Sequence, residues 1–249
     1  MSGHSKWASI KHKKAVVDSR RGAQFSKLTR AITVAARDGG GDPDANAALE
    51  NAVRKAREAS MPKENIERAI AKGTGEGGEA DAIEGVLYEG YGPGGVAVLV
   101  EALTENRNRT SADVRHIFSK NGGSIGEPGS VAYLFEKKGT IVIDATRYSE
   151  DDLMVAVDAG AEDISADEGV FEVIAEPADF TAVRKALEAA GIEMESAEVS
   201  YRASSLVPID EKQAARLMSL IDKLEDNDDV SAVHANFDAS ADVLERVAG

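Results

Sequence analysis

The chain has 249 residues, a net charge of −15, 43 % apolar residues and no cysteine. That composition is too apolar for a disordered chain and excludes disulfides, thiolate catalysis and thiolate metal sites. The longest apolar run, Val96 to Val100, falls far short of the roughly 20 residues of a membrane span. Met1 to Lys14 is too polar and basic for a secretory leader, so a cytoplasmic protein without a membrane partner is expected.

Residues 1–15 read as a basic arm. A helix is expected from Asp18 or Ser19 to just before Gly39-Gly40-Gly41, with Phe25, Leu28, Ile32 and Ala35 on one face and Arg20, Lys27, Arg30 and Arg37 opposite. A second helix is expected to start at Asp42-Pro43, and a third to follow Ser60-Met61-Pro62 and stop at Gly73. The glycine-rich Gly73 to Glu79 marks a boundary. Next come a hairpin (Val86 to Tyr88, a turn at Gly92 to Gly95, Val96 to Leu103), a polar loop from Glu105 to Thr110, and a helix from Ser111 to Asn121. Val131 to Phe135 reads as a strand.

From about 138 to 203 the order is strand (Thr140 to Ile143), helix (Ser149 to Ala159), strand (near Asp163 to Ser165), strand (Val170 to Ala175), helix (Asp179 to Ala190) and strand (Glu195 to Tyr201). This β-α-β-β-α-β order is ferredoxin-like and complete in itself. The helix Asp210 to Leu224 and strand Val230 to Phe237 cannot form a domain alone, so they are expected to complete the preceding segment. The expected fold class is α+β: an N-terminal helical domain (1–75), then two ferredoxin-like α/β sandwich domains (80–137 plus 204–240, and 138–203), the third inserted into the second.

Charge is segregated along the chain. Residues 1–37 hold nine Lys/Arg against Asp18 alone, a net of +8; residues 1–75 carry +7 and residues 76–249 carry −22. A basic module on an acidic body is the expected sign of nucleic-acid binding. At physiological salt the Debye length is about 8 Å, so distant acids do not cancel the basic surface. The cations that would neutralise phosphates are Lys6, Lys11, Lys13, Lys14, Arg20, Arg21, Lys27 and Arg30, with Trp7 and His12 able to stack on unpaired bases. The competing reading is a solvated basic face with Trp7 buried against a helix. Arg107 and Arg109, within Asn106 to Thr110, suit phosphate and base-edge contacts, unless the segment is simply a helix start capped through Thr110 and Asp113. Lys63 beside Met61-Pro62 is either a loop-tip contact or part of a proline-led first turn.

No catalytic constellation emerges. Gly73/Gly75/Gly78 and Gly90/Gly92/Gly95 match a dinucleotide-binding string but lack its strand-to-helix context, so they read as linker and hairpin turn. His4, His12, His116 and His234 have no metal-ligand spacing, and the acidic runs Glu150 to Asp152 and Asp226 to Asp229 flank expected helices.

Several strings resemble the YebC family: Gly3-His4-Ser5-Lys6-Trp7, Ile10 to Lys14, Met61-Pro62-Lys63 leading to Asn65 to Ile70, Tyr88 to Pro93, Leu103 to Thr110 and Gly126 to Val131. The likeness runs from end to end, with Glu105 where an aspartate is common. It implies a three-domain cytosolic protein with a helical first domain. Members are described as probable transcriptional regulators that bind DNA. The family is also similar to a mitochondrial translational activator of cytochrome c oxidase, and bacterial members are linked to the ribosome and to relief of stalling at proline-rich stretches. The resemblance carries a functional role onto the Lys6 to Lys14 arm, Lys63, Arg107 and Arg109, and implies no enzyme activity.

The expectation is therefore a non-enzymatic nucleic-acid-binding regulator. Its partner is DNA in transcription regulation or, alternatively, ribosomal RNA in translation. No cofactor, metal or small-molecule substrate is expected, and a monomer is the favoured state.

Overall fold

The computed structural model describes Trp7 and residues 21–76, 83–167 and 169–248. Helix α1 (Arg21–Gly39) packs through Phe25, Leu28, Ile32, Ala35 and Ala36 on α2 (Ala47–Glu58) and α3 (Lys63–Gly73). Gly73 is required for the close approach, since a Cβ there would lie 2.3 Å from the Thr33 carbonyl oxygen. The expected start of α1 at Asp18 or Ser19 lies outside the described residues. Helix α2 begins after the expected Asp42-Pro43. Asn46 caps it by accepting from the Leu49 amide, and the Asn46 side chain also donates to the carbonyls of Ala35 and Gly40. Asp42 instead closes a turn onto the Asp44 amide. A cap that also ties α2 to α1 outcompetes one that satisfies a local donor alone.

The first sandwich consists of β1 (Glu84–Tyr91), β2 (Ala97–Thr104), α4 (Arg107–Lys120), β3 (Ser124–Ile125), α7 (Glu211–Glu225) and β9 (Val230–Ala235). Its sheet order is β3-β1-β2-β9, with neighbours antiparallel. Strand β2 is buried on both faces. Val98, Val100 and Ala102 pack with Val114 and Phe118 of α4 and with Leu217 and Ile221 of α7, while Ala97 and Leu99 pack on Val131 and Phe135. That explains its nearly unbroken apolar run.

The inserted sandwich runs β4 (Phe135–Asp144), α5 (Met154–Asp158), β5 (Ala161–Asp167), β6 (Val170–Ala175), α6 (Phe180–Ala189) and β7 (Ser196–Ala203), with sheet order β5-β6-β4-β7. This is the expected ferredoxin-like unit, entered after β3 and left before β8 (Val207–Pro208). The first sandwich keeps the same spatial plan with different connectivity: its hairpin comes first, so the chain runs β-β-α-β-α-β. Strand β10 (Phe237–Asp238) pairs in parallel with β8, and α8 (Ala241–Ala248) packs on α7.

Two sequence expectations shift here. The expected loop Glu105 to Thr110 is mostly the first turn of α4, because Asn106 caps it by accepting from the Arg109 amide. Thr110 and Asp113 do not form the cap, since the Thr110 hydroxyl turns inward. The expected strand Val131 to Phe135 begins only at Phe135. The buried Glu89 carboxylate accepts from the amides of Gly129, Val131 and Ala132 at 2.6, 2.7 and 2.7 Å, which holds that stretch as a turn.

Candidate nucleic-acid interface

Once α1 turns its apolar stripe to α2 and α3, its cations face elsewhere, and the structure brings two of them to the turn that follows α7. Lys27 Nζ donates to the Glu225 carbonyl at 2.5 Å. Arg30, one helical turn on, donates to the Asp228 carbonyl at 2.6 Å and lies 3.0 Å from Asp229 Oδ1. The other oxygen of Asp229 accepts from Arg109 at 2.8 Å and from the Thr110 hydroxyl at 2.7 Å. Three places far apart in the chain, position 30, positions 109 and 110, and position 229, thus meet at one carboxylate whose side chain is only 5 % exposed.

The electrostatics follow from this packing. Burial alone would raise the Asp229 carboxyl, but the Thr110 hydroxyl and the Arg109 and Arg30 guanidiniums outweigh it and hold Asp229 below the usual carboxylate range. Burial pushes the Lys27 ammonium below the ordinary lysine value, against the opposing pull of Glu225, Asp228 and Asp226. Both α1 cations, expected from the sequence as phosphate contacts, are therefore engaged inside the molecule in this structure.

The other expected site residues divide clearly. Lys63 opens α3 with its side chain 86 % exposed, beside Glu67 at 3.4 Å. Arg107 is exposed in the first turn of α4, and Arg109 is 56 % exposed although it touches Asp229. Arg115 and Lys120 extend the exposed cations along α4. Trp7 is a correction: its ring is 6 % exposed and belongs to the core of the first sandwich, so burial withdraws it from base stacking. Lys6, Lys11, His12, Lys13, Lys14 and Arg20 lie outside the described residues, and Arg21 is the first residue of α1.

The helical unit also docks on the inserted sandwich. Arg54 donates to the Ala197 carbonyl of β7 at 2.6 Å, Lys55 pairs with Glu198 at 2.8 Å, and Glu50 pairs with Arg184 of α6 at 2.6 Å. The Asp229 hub escaped the sequence reading, which took Asp226 to Asp229 as a helix flank. Its available signal was an acidic run with the sign opposite to the α1 cations. Among the described residues no group of three or more His, Asp or Glu is placed to hold a metal ion, and no helix is long and apolar enough to cross a membrane.

Residues 5–76 match the family model for the TACO1/YebC protein N-terminal domain, and residues 83–237 match the model for the TACO1/YebC second and third domain. A protein of Rubrobacter xylanophilus called "Probable transcriptional regulatory protein" is 56 % identical, over 100 % of both chains. One of the same description from Acidothermus cellulolyticus is 55 % identical, over 99 % of this chain and 100 % of its own. The crystal structure of a conserved hypothetical protein from Aquifex aeolicus superposes with a TM-score of 0.80 at 48 % identity, covering 92 % of this chain and 95 % of that one.

Proposed function

Because the chain belongs to the TACO1/YebC family, we propose that it is a non-enzymatic regulator of gene expression, a transcriptional regulator that grips the backbone of DNA through its basic N-terminal unit. The observation that carries this reading is charge segregation: +8 in residues 1–37 against −22 in residues 76–249. The gripping surface comprises the arm cations Lys6, Lys11, Lys13 and Lys14, then Arg20 and Arg21, with Lys63, Arg107 and Arg109 as outlying contacts. The unit limits 1–75, 80–137 with 204–240, and 138–203 belong to the same proposal, as does action in the cytoplasm.

One observation favours a second reading, a ribosome-directed translation factor. Helix α1 turns Lys27 and Arg30 toward the acidic body, so it is not presented as a groove-reading recognition helix. Backbone contact by a single basic unit suits a structured RNA cavity better than a long duplex, which the −22 body repels.

The test is fluorescence anisotropy with a labelled duplex DNA and a ribosomal RNA hairpin across a salt series. The expected result is binding at low salt that weakens with a log–log slope of about −3 or steeper, as several released counterions require. The Lys11/Lys13/Lys14→Glu variant should lose binding. Salt-independent binding, or none at low salt, removes the reading; preference for the hairpin selects the second version.

A further inference from the structure

Helices α1 to α3 have a hydrophobic core of their own. The cluster around Ile32, Leu49, Val53 and Ile66 draws all its members from residues 25–70. Among the described residues α1 to α3 meet the two sandwiches through polar ties, Lys27 and Arg30 to the turn 225–229, Arg37 to the Ile83 carbonyl, and Glu50, Arg54 and Lys55 to the inserted sandwich, while Trp7, which precedes α1, is seated in the core of the first sandwich. A polar interface between units with separate cores permits relative motion.

The acceptors at the turn have a notable arrangement. Glu225-Asp226-Asn227-Asp228-Asp229 places four acids in five residues against cations one helical turn apart on α1. The Glu225 carbonyl takes Lys27, and the Asp228 carbonyl and the Asp229 carboxylate take Arg30, so both cations are occupied by oxygen acceptors of this turn. Arg109 reaches the same carboxylate while still 56 % exposed, so an incoming polyanion meets a cation at the rim of the contact.

We propose that this docked arrangement is a closed state in which the turn 225–229 occupies Lys27 and Arg30 as an internal stand-in for phosphate. A nucleic-acid backbone then displaces the turn, swings α1 to α3 away from the sandwiches while Trp7 stays seated in the first sandwich core, and uncovers the two cations. The inference rests on the nucleic-acid reading above and deepens it: the body regulates its own binding unit.

The closed fraction lowers the apparent affinity by the fraction of molecules that are open. Asp226 and Asp228 have exposed side chains that add charge to the turn, so Asp226→Asn/Asp228→Asn weakens the contact with little disturbance of the core. The natural chain lacks cysteine, so Glu64→Cys on α3 and Ser119→Cys on α4, both exposed, accept spin labels cleanly. The probe is a 20-nucleotide RNA hairpin. In the otherwise natural chain one narrow distance population is expected without RNA, and a second, displaced population with it. The neutralised chain should show the second population without RNA and bind about fivefold more tightly. Binding that leaves the distance distribution unchanged, with affinities of the two chains within twofold, overturns the latch. If neither chain binds RNA, the ribosomal-RNA version of the nucleic-acid reading falls by itself, and a 20-base-pair DNA duplex in the same assay decides the DNA version. The distance distribution of the neutralised chain still decides the latch: broadening supports it, and a single unchanged population overturns it.

Discussion

Glu89 and Asp229 are both buried carboxylates held below their ordinary titration range, yet they are held by different chemistry. Burial pushes Glu89 up, and the amides of Gly129, Val131 and Ala132 pull it further down. All three donors are backbone groups of one turn, so Glu89 closes a loop within a single unit. Asp229 is held by side chains from α1 and α4, so it closes one unit on another. Neutral amides fixed in the backbone are nearly indifferent to salt, whereas guanidiniums can be claimed by other anions. A carboxylate in an amide cradle builds structure; one in a guanidinium cradle can be switched.

The strongest test of that contrast is Glu89→Ala. It leaves three inward-facing amides without their acceptor, at about 1–3 kcal/mol each where water cannot substitute. The expected loss is about 3 kcal/mol or more, seen as a lower urea midpoint at unchanged slope and insensitive to salt. A loss below about 1 kcal/mol would mean that water fills the cradle and that the turn is not held by Glu89.

Asp229→Ala should have a smaller effect, about 2 kcal/mol, because Arg30 keeps the Asp228 carbonyl while Thr110 loses a charged acceptor. Here the loss should shrink as salt rises, since salt already weakens the natural contact. The pH dependence has a definite sign. Both carboxyls have folded-state values below their unfolded ones, so their stabilisation is complete above the unfolded value of about 4 and is lost as pH falls through the folded value. Urea midpoints measured from pH 6 downward should therefore fall below about pH 4, and less steeply in Asp229→Ala than in the natural chain. Equal slopes would show that Asp229 is not held in its charged form.

Much of the fold was legible because it rests on local signals. The apolar stripe of α1, the stop of α3 at Gly73, the strand Val170–Ala175 and the start of α7 at Asp210 are all written in neighbouring residues. The misreadings share one cause, a distant partner that overrides a local preference. Asn46 outcompetes Asp42 because it also reaches Ala35 and Gly40. Val131 has strand propensity, but its amide belongs to Glu89, 42 positions away. Trp7 sits in a basic run suggestive of stacking, and its ring lies in the core of a sandwich whose strands begin nearly eighty residues later. At the candidate site, charge segregation identified the basic unit, but pairing of Lys27 and Arg30 with a turn some 200 residues away could not be read from spacing.

The smallest expected effect on stability is also the clearest separation of function from structure. Lys63 is exposed and only loosely paired with Glu67 at 3.4 Å, while Arg30 is packed against Asp229. Exposed pairs of this kind contribute about 0–1 kcal/mol, so Lys63→Ala should lower the unfolding free energy from urea titration by less than about 0.5 kcal/mol. If Lys63 touches a phosphate, the same variant should reduce the salt slope of RNA or DNA binding by about one counterion. Arg30→Ala should behave differently, losing stability through the contact with Asp229 while its affinity changes by two opposing effects, a weakened closed state and one phosphate contact fewer in the open one. A Lys63 variant that binds with an unchanged slope would remove α3 from the interface and confine the grip to the N-terminal arm and α4.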